Sequence, residues 1–275
     1  MITICLVAYS KKYLDTLAYQ SLMNLSTEIQ QQINLIVFDN GEVAYQTINH
    51  NYQLNQFVYY FNDKSERGTR IAYQYAFENT DDQWLLLLDD DTKLTEKYLK
   101  LILREIQFKR QDIVAFTPII KSEEGIQISP TQSNSLQSLN FPLKAGDYSK
   151  NITGISSGLV LNTDFLDSID GFNAPFVLDY LDHWLFYKII SEGRKVSVID
   201  VEMIHHLSVM DLKTISKTRY QSIFESEYQF YRTFRPSLLN SLKFNYMKRI
   251  VKGLFLRQKQ FHWRILLGIL LRNMS

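Results

Sequence analysis

Three consecutive carboxylates, Asp89, Asp90 and Asp91, follow the run Trp84-Leu85-Leu86-Leu87-Leu88, and Thr92 closes the stretch. Adjacent carboxylates repel one another unless a cation shares them, so the cluster suits a divalent metal that takes hard oxygen ligands. Asp89 and Asp91 stand two residues apart, which lets a turn aim both at one ion. The alternative is a solvated acidic turn that follows a core strand. A second carboxylate in a comparable place, Asp39, opens the turn Asp39-Asn40-Gly41 after the apolar run Ile33 to Phe38.

The elements that must position these acids follow from periodicity. Four leucines behind a Trp read as a strand buried on both faces, the centre of a parallel sheet, and the acids then sit at its carboxyl end, where open α/β sheets bind ligands. Before it come a strand over Ile2 to Ala8, a helical stretch from about Tyr13 to Leu25, strands over Ile33 to Phe38 and Phe57 to Phe61, and a helix over Gly68 to Glu78. After it come a helix over Thr95 to Phe108 and a strand over Asp112 to Ile120. Strand and helix in alternation predict a mostly parallel, Rossmann-like central sheet flanked by helices. From Lys121 to Lys150 the chain turns to Ser, Thr, Gln, Asn, Gly and Pro and reads as a long loop. A strand is expected over Ile155 to Leu161, a helix over Asp179 to Glu192, and short strands over Val196 to Ile199 and Glu202 to His206.

Composition narrows the classes. A 275-residue chain that is 45% hydrophobic can bury a sizeable core and is not disordered. Cys5 is the only cysteine, which excludes a disulfide framework or a thiolate metal cluster and suits a reducing compartment. Met1 to Val7 lacks a basic segment and is too short for a signal-peptide core, so export is not expected, and no apolar run approaches the roughly 20 residues that cross a bilayer. The formal charge of +1 hides a split: Tyr228 to Ser275 holds ten Lys or Arg and no acid, leaving 20 basic against 29 acidic residues elsewhere.

Taken in order, these segments resemble the family-2 glycosyltransferases, whose nucleotide-sugar-binding fold is called GT-A. Trp84 to Thr92 resembles the family's aspartate motif, and Asp39-Asn40 its second-strand acidic pair. Gly68 with Ala72 and Gln74 resembles a helix pattern of Asn-Gly, then Ala, then Asn. Ile155 to Leu161 resembles the strand under the donor sugar. Gly171-Phe172-Asn173 and then Asp179-Tyr180-Leu181-Asp182-His183-Trp184 resemble a glycine-phenylalanine turn and an acidic pair on a helix. The likeness spans about residues 2 to 210, and the bacterial rhamnosyltransferase-like branch looks nearest. Arg67 stands where the family has Asn, Gln74 replaces the later Asn, and Leu181 stands where many members carry Glu.

The resemblance implies an inverting transfer of a sugar, rhamnose in the branch it looks nearest to, from a UDP- or dTDP-linked donor to a hydroxyl of a lipid-linked or surface polysaccharide. It implies nucleotide contacts at Ala8, Tyr9, Asp39, Arg67, Gly68, Arg70, Asp89 and Asp90, with a surface salt bridge the competing role for each arginine. Mn²⁺ or Mg²⁺ would be held by Asp91 with Asp89 and His205, His206 being the other histidine in reach. Ser157, Gly158 and Trp184 would meet the substrates. Asp182 would take the acceptor's proton, a task for a carboxylate within hydrogen-bond reach of a weakly nucleophilic hydroxyl, with Asp179 as its substitute. The competing role for this pair is helix capping.

The expected organisation is a GT-A domain over residues 1–212 and a basic helical extension over 213–275. In that extension Met247, Ile250, Val251 and Leu254 share one helical face, Lys248, Lys252 and Lys259 lie on another, and Ile265 to Leu271 adds an apolar run. Apolar faces bordered by cations suit a helix lying on anionic lipid, which places the protein on the inner face of the cell membrane. Packing on the catalytic domain or in a homodimer is the alternative. A nucleic-acid partner is not expected, because stacking aromatics are absent from the tail and the body is acidic. Two other functions fit parts of the pattern: a haloacid-dehalogenase-like phosphatase, from which Lys93 and the late position of the strand depart, and a catalytically inactive nucleotide- or glycan-binding relative.

Overall fold

The computed structural model describes residues 1–9, 11–45, 53–64, 66–108, 110–136, 141–205, 216–255 and 262–272. The chain opens with β1 (Ile2–Ala8), a 3₁₀ turn over Tyr13–Asp15, then α1 (Leu17–Met23) and α2 (Thr27–Gln30). Next come β2 (Ile33–Asp39), β3 (Gln56–Phe61), α3 (Thr69–Glu78), β4 (Trp84–Asp89), α4 (Glu96–Glu105) and β5 (Ile113–Lys121). Four short strands follow, β6 (Gln127–Ser129), β7 (Thr131–Gln132), β8 (Gly146–Tyr148) and β9 (Ile152–Thr153), before β10 (Val160–Asn162), α5 (Thr163–Ser168), α6 (Leu181–Ser191) and β11 (Lys195–Ile204). The chain ends in α7 (Lys217–Phe234), α8 (Pro236–Phe255) and α9 (Trp263–Arg272).

Among the described residues the main sheet runs β3-β2-β1-β4-β10-β5-β11-β8, with β6 paired to β5. The pairs β1–β2, β1–β4, β2–β3 and β5–β11 are parallel, as the alternation of strand and helix requires. Leu85, Leu86, Leu87 and Leu88 of β4 are fully buried, each worth roughly 1.5–3 kcal/mol over an exposed position. That burial fixes β4 at the centre and forces Asp89 to the edge, the first residue past the apolar run. Amphipathic α4 closes over the sheet with Tyr98, Leu99, Ile102 and Leu103 buried, and Thr95 caps it by accepting from the Tyr98 N–H at 3.3 Å.

The structure departs from the periodicity in several places. The expected helix from Tyr13 breaks at Thr16, which is extended and caps α1, its hydroxyl accepting from Tyr19 N at 3.2 Å. The expected strand over Ile155 to Leu161 is regular only from Val160, and it runs antiparallel to β4 and β5. Ser156-Ser157-Gly158 forms a turn instead, with Leu159 N on Ser156 O at 2.9 Å and Gly158 at φ +85. The left-handed glycine is the physical reason. The two short strands after α6 form one strand, β11, with a register shift between Ile199 and Glu202. Within the expected loop over residues 121–150, β8 pairs with β11 as the sheet's edge.

The chain divides into two compact units, Met1–Gln132 with Leu139–His206, and Ser133–Ser138 with Leu207–Ser275. The second unit has its own core, built from Tyr220, Phe224 and Tyr228 of α7, Leu242, Tyr246 and Ile250 of α8, and Ile265, Leu266, Ile269 and Leu270 of α9. Tyr246 donates to the Glu227 carboxylate at 2.8 Å, locking α8 to α7 inside that core. The helix α7, inside the expected helical extension, carries aromatic residues at three- and four-residue spacing. No described helix is long and apolar enough to cross a membrane.

Candidate active site

Register across the sheet gathers the acids. Ala8 pairs with Asp39 and Val7 with Asp89, so the carboxyl ends of β2, β1 and β4 form one line. Asp39 is fully buried there, its two oxygens accepting from Gly41 N and Tyr59 OH, each at 2.7 Å. A carboxylate has further lone pairs, so a nucleotide group can still share it. Asn40 donates to the Gly68 carbonyl at 3.1 Å, tying this end of β2 to the entrance of α3.

The aspartate turn is held from several sides. Tyr73 of α3 donates to Asp89 Oδ1 at 3.1 Å, and its hydroxyl lies 3.2 Å from Ser156 Oγ. Ser157 Oγ accepts from Asp89 N at 3.0 Å and sits 2.7 Å from Thr92 Oγ1. Asp90 Oδ2 accepts from Tyr9 N at 3.1 Å, and the Asp90 carbonyl accepts from Ala18 N at 3.2 Å. Thr92 and His205 form an isolated β-bridge, with Thr92 Oγ1 2.6 Å from His205 Nδ1. His205 Nδ1 is also 3.3 Å from Asp91 Oδ1. A residue 113 positions downstream of Thr92 thus enters the same constellation.

Charge is concentrated in a poorly hydrated place. Loss of hydration, and then repulsion from Asp91, pushes the Asp89 carboxyl up to about 6 from 3.8, with His205 and the Tyr73 bond opposing. Asp90 is raised for the same first reason, opposed by the Tyr9 N–H. Burial, with Asp89 beside it, raises the Tyr73 hydroxyl well above its usual range, which keeps Tyr73 a neutral donor. A cation would relieve these shifts.

The donor set fits such an ion. His205 Nδ1 stands 3.3 Å from Asp91 Oδ1, about the spacing of two neighbouring ligands on one ion, and it would have to give up its 2.6 Å contact with Thr92 Oγ1 to bind there. Carboxylate with imidazole suits Mn²⁺, and carboxylates alone suit Mg²⁺. Among the described residues no three acids, histidines or cysteines are grouped as a metal cage; Asp91 and His205 are a pair of the right chemistry, 3.3 Å apart.

Other residues marked from sequence fall around this turn. Gly68 begins α3 at φ +155, and a Cβ there would stand 2.4 Å from Val177 O, so only glycine admits the loop that crosses it. Arg70 N donates to that same carbonyl at 3.1 Å, while the Arg70 guanidinium pairs with Glu66 and that of Arg67 reaches the Asn62 carbonyl. Gly158 N donates to Leu87 O at 2.7 Å, and Tyr98 OH donates to Gly158 O at 2.5 Å. Asp179 is exposed. Tyr180, left-handed at φ 68, occupies the N-cap position of α6 in place of Asp179. Asp182 lies in the first turn, its Oδ1 accepting from His183 N at 2.8 Å, and His183 Nδ1 is 3.0 Å from Thr153 Oγ1. Trp184 is buried on the inner side of α6. His206 lies outside the described residues.

Residues 153–157 therefore touch both sides: Thr153 meets the helix of Asp182, and Ser156 and Ser157 meet the aspartate turn. Sequence reasoning missed Tyr73, Thr92 as a partner of His205, and Tyr59. Tyr73 directly precedes the marked Gln74 and is the only one of the three with a local signal, a polar aromatic on the buried face of a helix.

A mostly parallel sheet with acids on its carboxyl edge, a glycine-led helix beside them and a histidine returning from a late strand defines a GT-A-type α/β domain. The family model described as glycosyl transferase family 2 matches residues 4–167, and the chain belongs to that family of glycosyltransferases. Similar solved structures include S. aureus TarS, at 14% identity and TM-score 0.53 over 86% of this chain and 44% of that one, so this chain spans under half of TarS. TarS 1-349 in complex with UDP matches at 13% identity and TM-score 0.56, over 96% of this chain and 82% of that one. GalNAc-T7 with UDP, GalNAc and Mn²⁺ matches at 13% identity and TM-score 0.54, over 84% of this chain and 49% of that one. No curated protein sequence matches the chain. At these identities the structures share the fold, and the family match stops before α6 and β11.

Proposed function

We propose that this protein transfers a sugar, with inversion, from a UDP- or dTDP-linked donor to a hydroxyl of a lipid-linked or surface polysaccharide, rhamnose being the sugar favoured by the sequence branch. The observation that carries the reading is the approach of His205 Nδ1 to Asp91 Oδ1 at 3.3 Å on the carboxyl edge of β4. Asp91, Asp89 and His205 are the residues that would hold Mn²⁺ or Mg²⁺, which supplies Lewis-acid neutralisation of the leaving diphosphate. Ala8, Tyr9, Asp39 and the entrance of α3 line the nucleotide side, where a helix N-terminus favours an anion. Ser157 holds Asp89 and Thr92 through its hydroxyl, and Tyr73 holds Asp89 from the other side.

Asp182 accepts the proton of the acceptor hydroxyl as its oxygen attacks the anomeric carbon from the face opposite the diphosphate. The bond from that carbon to the phosphate oxygen breaks, and the nucleoside diphosphate leaves. General-base help of this kind contributes about a hundredfold or more. The acceptor is carried on a membrane lipid, and the basic C-terminal helices hold the protein to the inner face of the cell membrane.

The test is binding and turnover across UDP-, dTDP- and GDP-sugars with Mn²⁺ or Mg²⁺. Metal-dependent binding should be lost in Asp91→Ala, whereas Asp182→Asn should bind donor and lose turnover. Binding of no nucleotide-sugar at all sinks the proposal.

A further inference from the structure

The second unit carries an apolar stripe that its own core does not use. On α8 the residues that face the core are Leu242, Tyr246, Ile250 and Gly253, so Ile250, expected on one face with Met247, Val251 and Leu254, turns inward instead. Phe244, Met247, Val251 and Leu254 follow one another at steps of three, four and three residues, which on a 3.6-residue helix makes a second face, and Phe255 extends it. These five are 61%, 48%, 45%, 51% and 83% exposed. Soluble surfaces scatter apolar residues singly, so a contiguous helical row of five marks an interaction face.

The borders of the stripe name its partner. By the same periodicity Lys243 falls along one edge, and Lys248 and Lys252 along the other. Lys248 Nζ already lies 4.4 Å over the Phe244 ring, its stem along the apolar row and its charge at the rim. From Tyr228 to Ser275 the chain has no acid to oppose an anionic partner. An apolar stripe between rows of lysines matches an acyl boundary beneath anionic headgroups, whereas a second copy of this chain would set lysine rows against lysine rows.

We infer that α8 lies flat on an anionic bilayer, with Phe244, Met247, Val251, Leu254 and Phe255 in the acyl boundary and Lys243, Lys248 and Lys252 at the phosphates. Core-facing Tyr246 and Ile250 then point away from the lipid, so this one face sets the orientation of the three-helix unit. The inference sharpens the membrane part of the proposed function and rests on that part alone.

The experiment is sedimentation of the full chain with vesicles of phosphatidylglycerol mixed with phosphatidylcholine, and with pure phosphatidylcholine. Binding should favour the anionic vesicles and weaken as salt rises. Met247→Asp with Leu254→Asp should reduce it by about tenfold or more, and Lys248→Gln with Lys252→Gln should remove the preference for anionic lipid. Phe108→Asp, an equally exposed apolar position of the first unit, should bind as wild type. Unchanged binding in the stripe variant overturns the inference. So does a chain that ignores vesicles and is instead a dimer by ultracentrifugation, turned monomeric by the stripe substitutions. Nucleotide-sugar binding measured on the same proteins reports on the transferase reading separately, since these substitutions lie outside the donor site.

Discussion

Phe172 N donates to Gln74 Oε1 at 2.7 Å, across 98 residues of sequence. Together with Arg70 N on Val177 O, this bond fastens the segment leading to Asp179 and Asp182 onto α3, whose Tyr73 holds Asp89. Gln74 stands where the resembling family has Asn, and its extra methylene spans the gap to the turn. Gln74→Ala leaves a buried N–H without its acceptor and should lower the unfolding free energy by about 1–2 kcal/mol in urea titration. Gln74→Glu keeps the acceptor but replaces the Nε2 donor to Glu78 Oε1, now at 2.7 Å, with a like charge, so it should restore only part of that loss.

Two glycines should respond with opposite signs. Gly68→Ala forces a Cβ to 2.4 Å from Val177 O at a positive φ and should destabilise on the order of 1–3 kcal/mol. Gly268 lies inside α9 with no atom within 4 Å of a Cβ, so Gly268→Ala should stabilise by roughly 0.5–1 kcal/mol. Thermal unfolding of both variants checks the pair, and a neutral Gly68→Ala would show that the loop over α3 yields freely.

Asp89 predicts a pH dependence of the metal-free protein. Its carboxyl is raised in the folded state to about 6, so the folded chain holds this proton more tightly than the unfolded one. The contribution to stability is present below about pH 4 and is lost as pH rises through about 6. Melting temperatures of wild type and Asp89→Asn should therefore diverge over that interval, with wild type falling relative to the variant. Parallel curves would contradict the assignment.

Cys5 should be chemically silent. It is buried beside the Ala72 carbonyl, and burial followed by the Asp89 charge raises its thiol far above the usual range. A thiol-exchange reagent at mildly alkaline pH should leave the native protein untouched and react with one thiol per chain after unfolding.

Much of the architecture was written in local periodicity. The leucines of β4 are apolar on both faces, the pattern of a central strand, and their end at Asp89 sets the carboxyl edge. The helix over Thr69–Glu78 was legible for the same reason, from its row of small and aromatic residues. The strand expected from Ile155 failed because the apolar alternation of Ile155, Leu159 and Leu161 outweighed Ser156-Ser157-Gly158, a local turn signal that the fold obeys.

What the sequence by itself determined is the sheet's order of burial, the acids at the strand ends and a C-terminal region without acidic residues. Periodicity and charge are properties of neighbouring residues, and they survive without a partner. Only the tertiary structure decided that His205 meets Asp91, that Tyr73 and Ser157 brace Asp89 and Thr92, that Gln74 holds Phe172, and that α8 has a second apolar face left over from its core. Those contacts join residues tens of positions apart through β-register and helix packing, and a carboxylate, a hydroxyl or a glutamine carries no local mark of which distant group will fill its lone pairs.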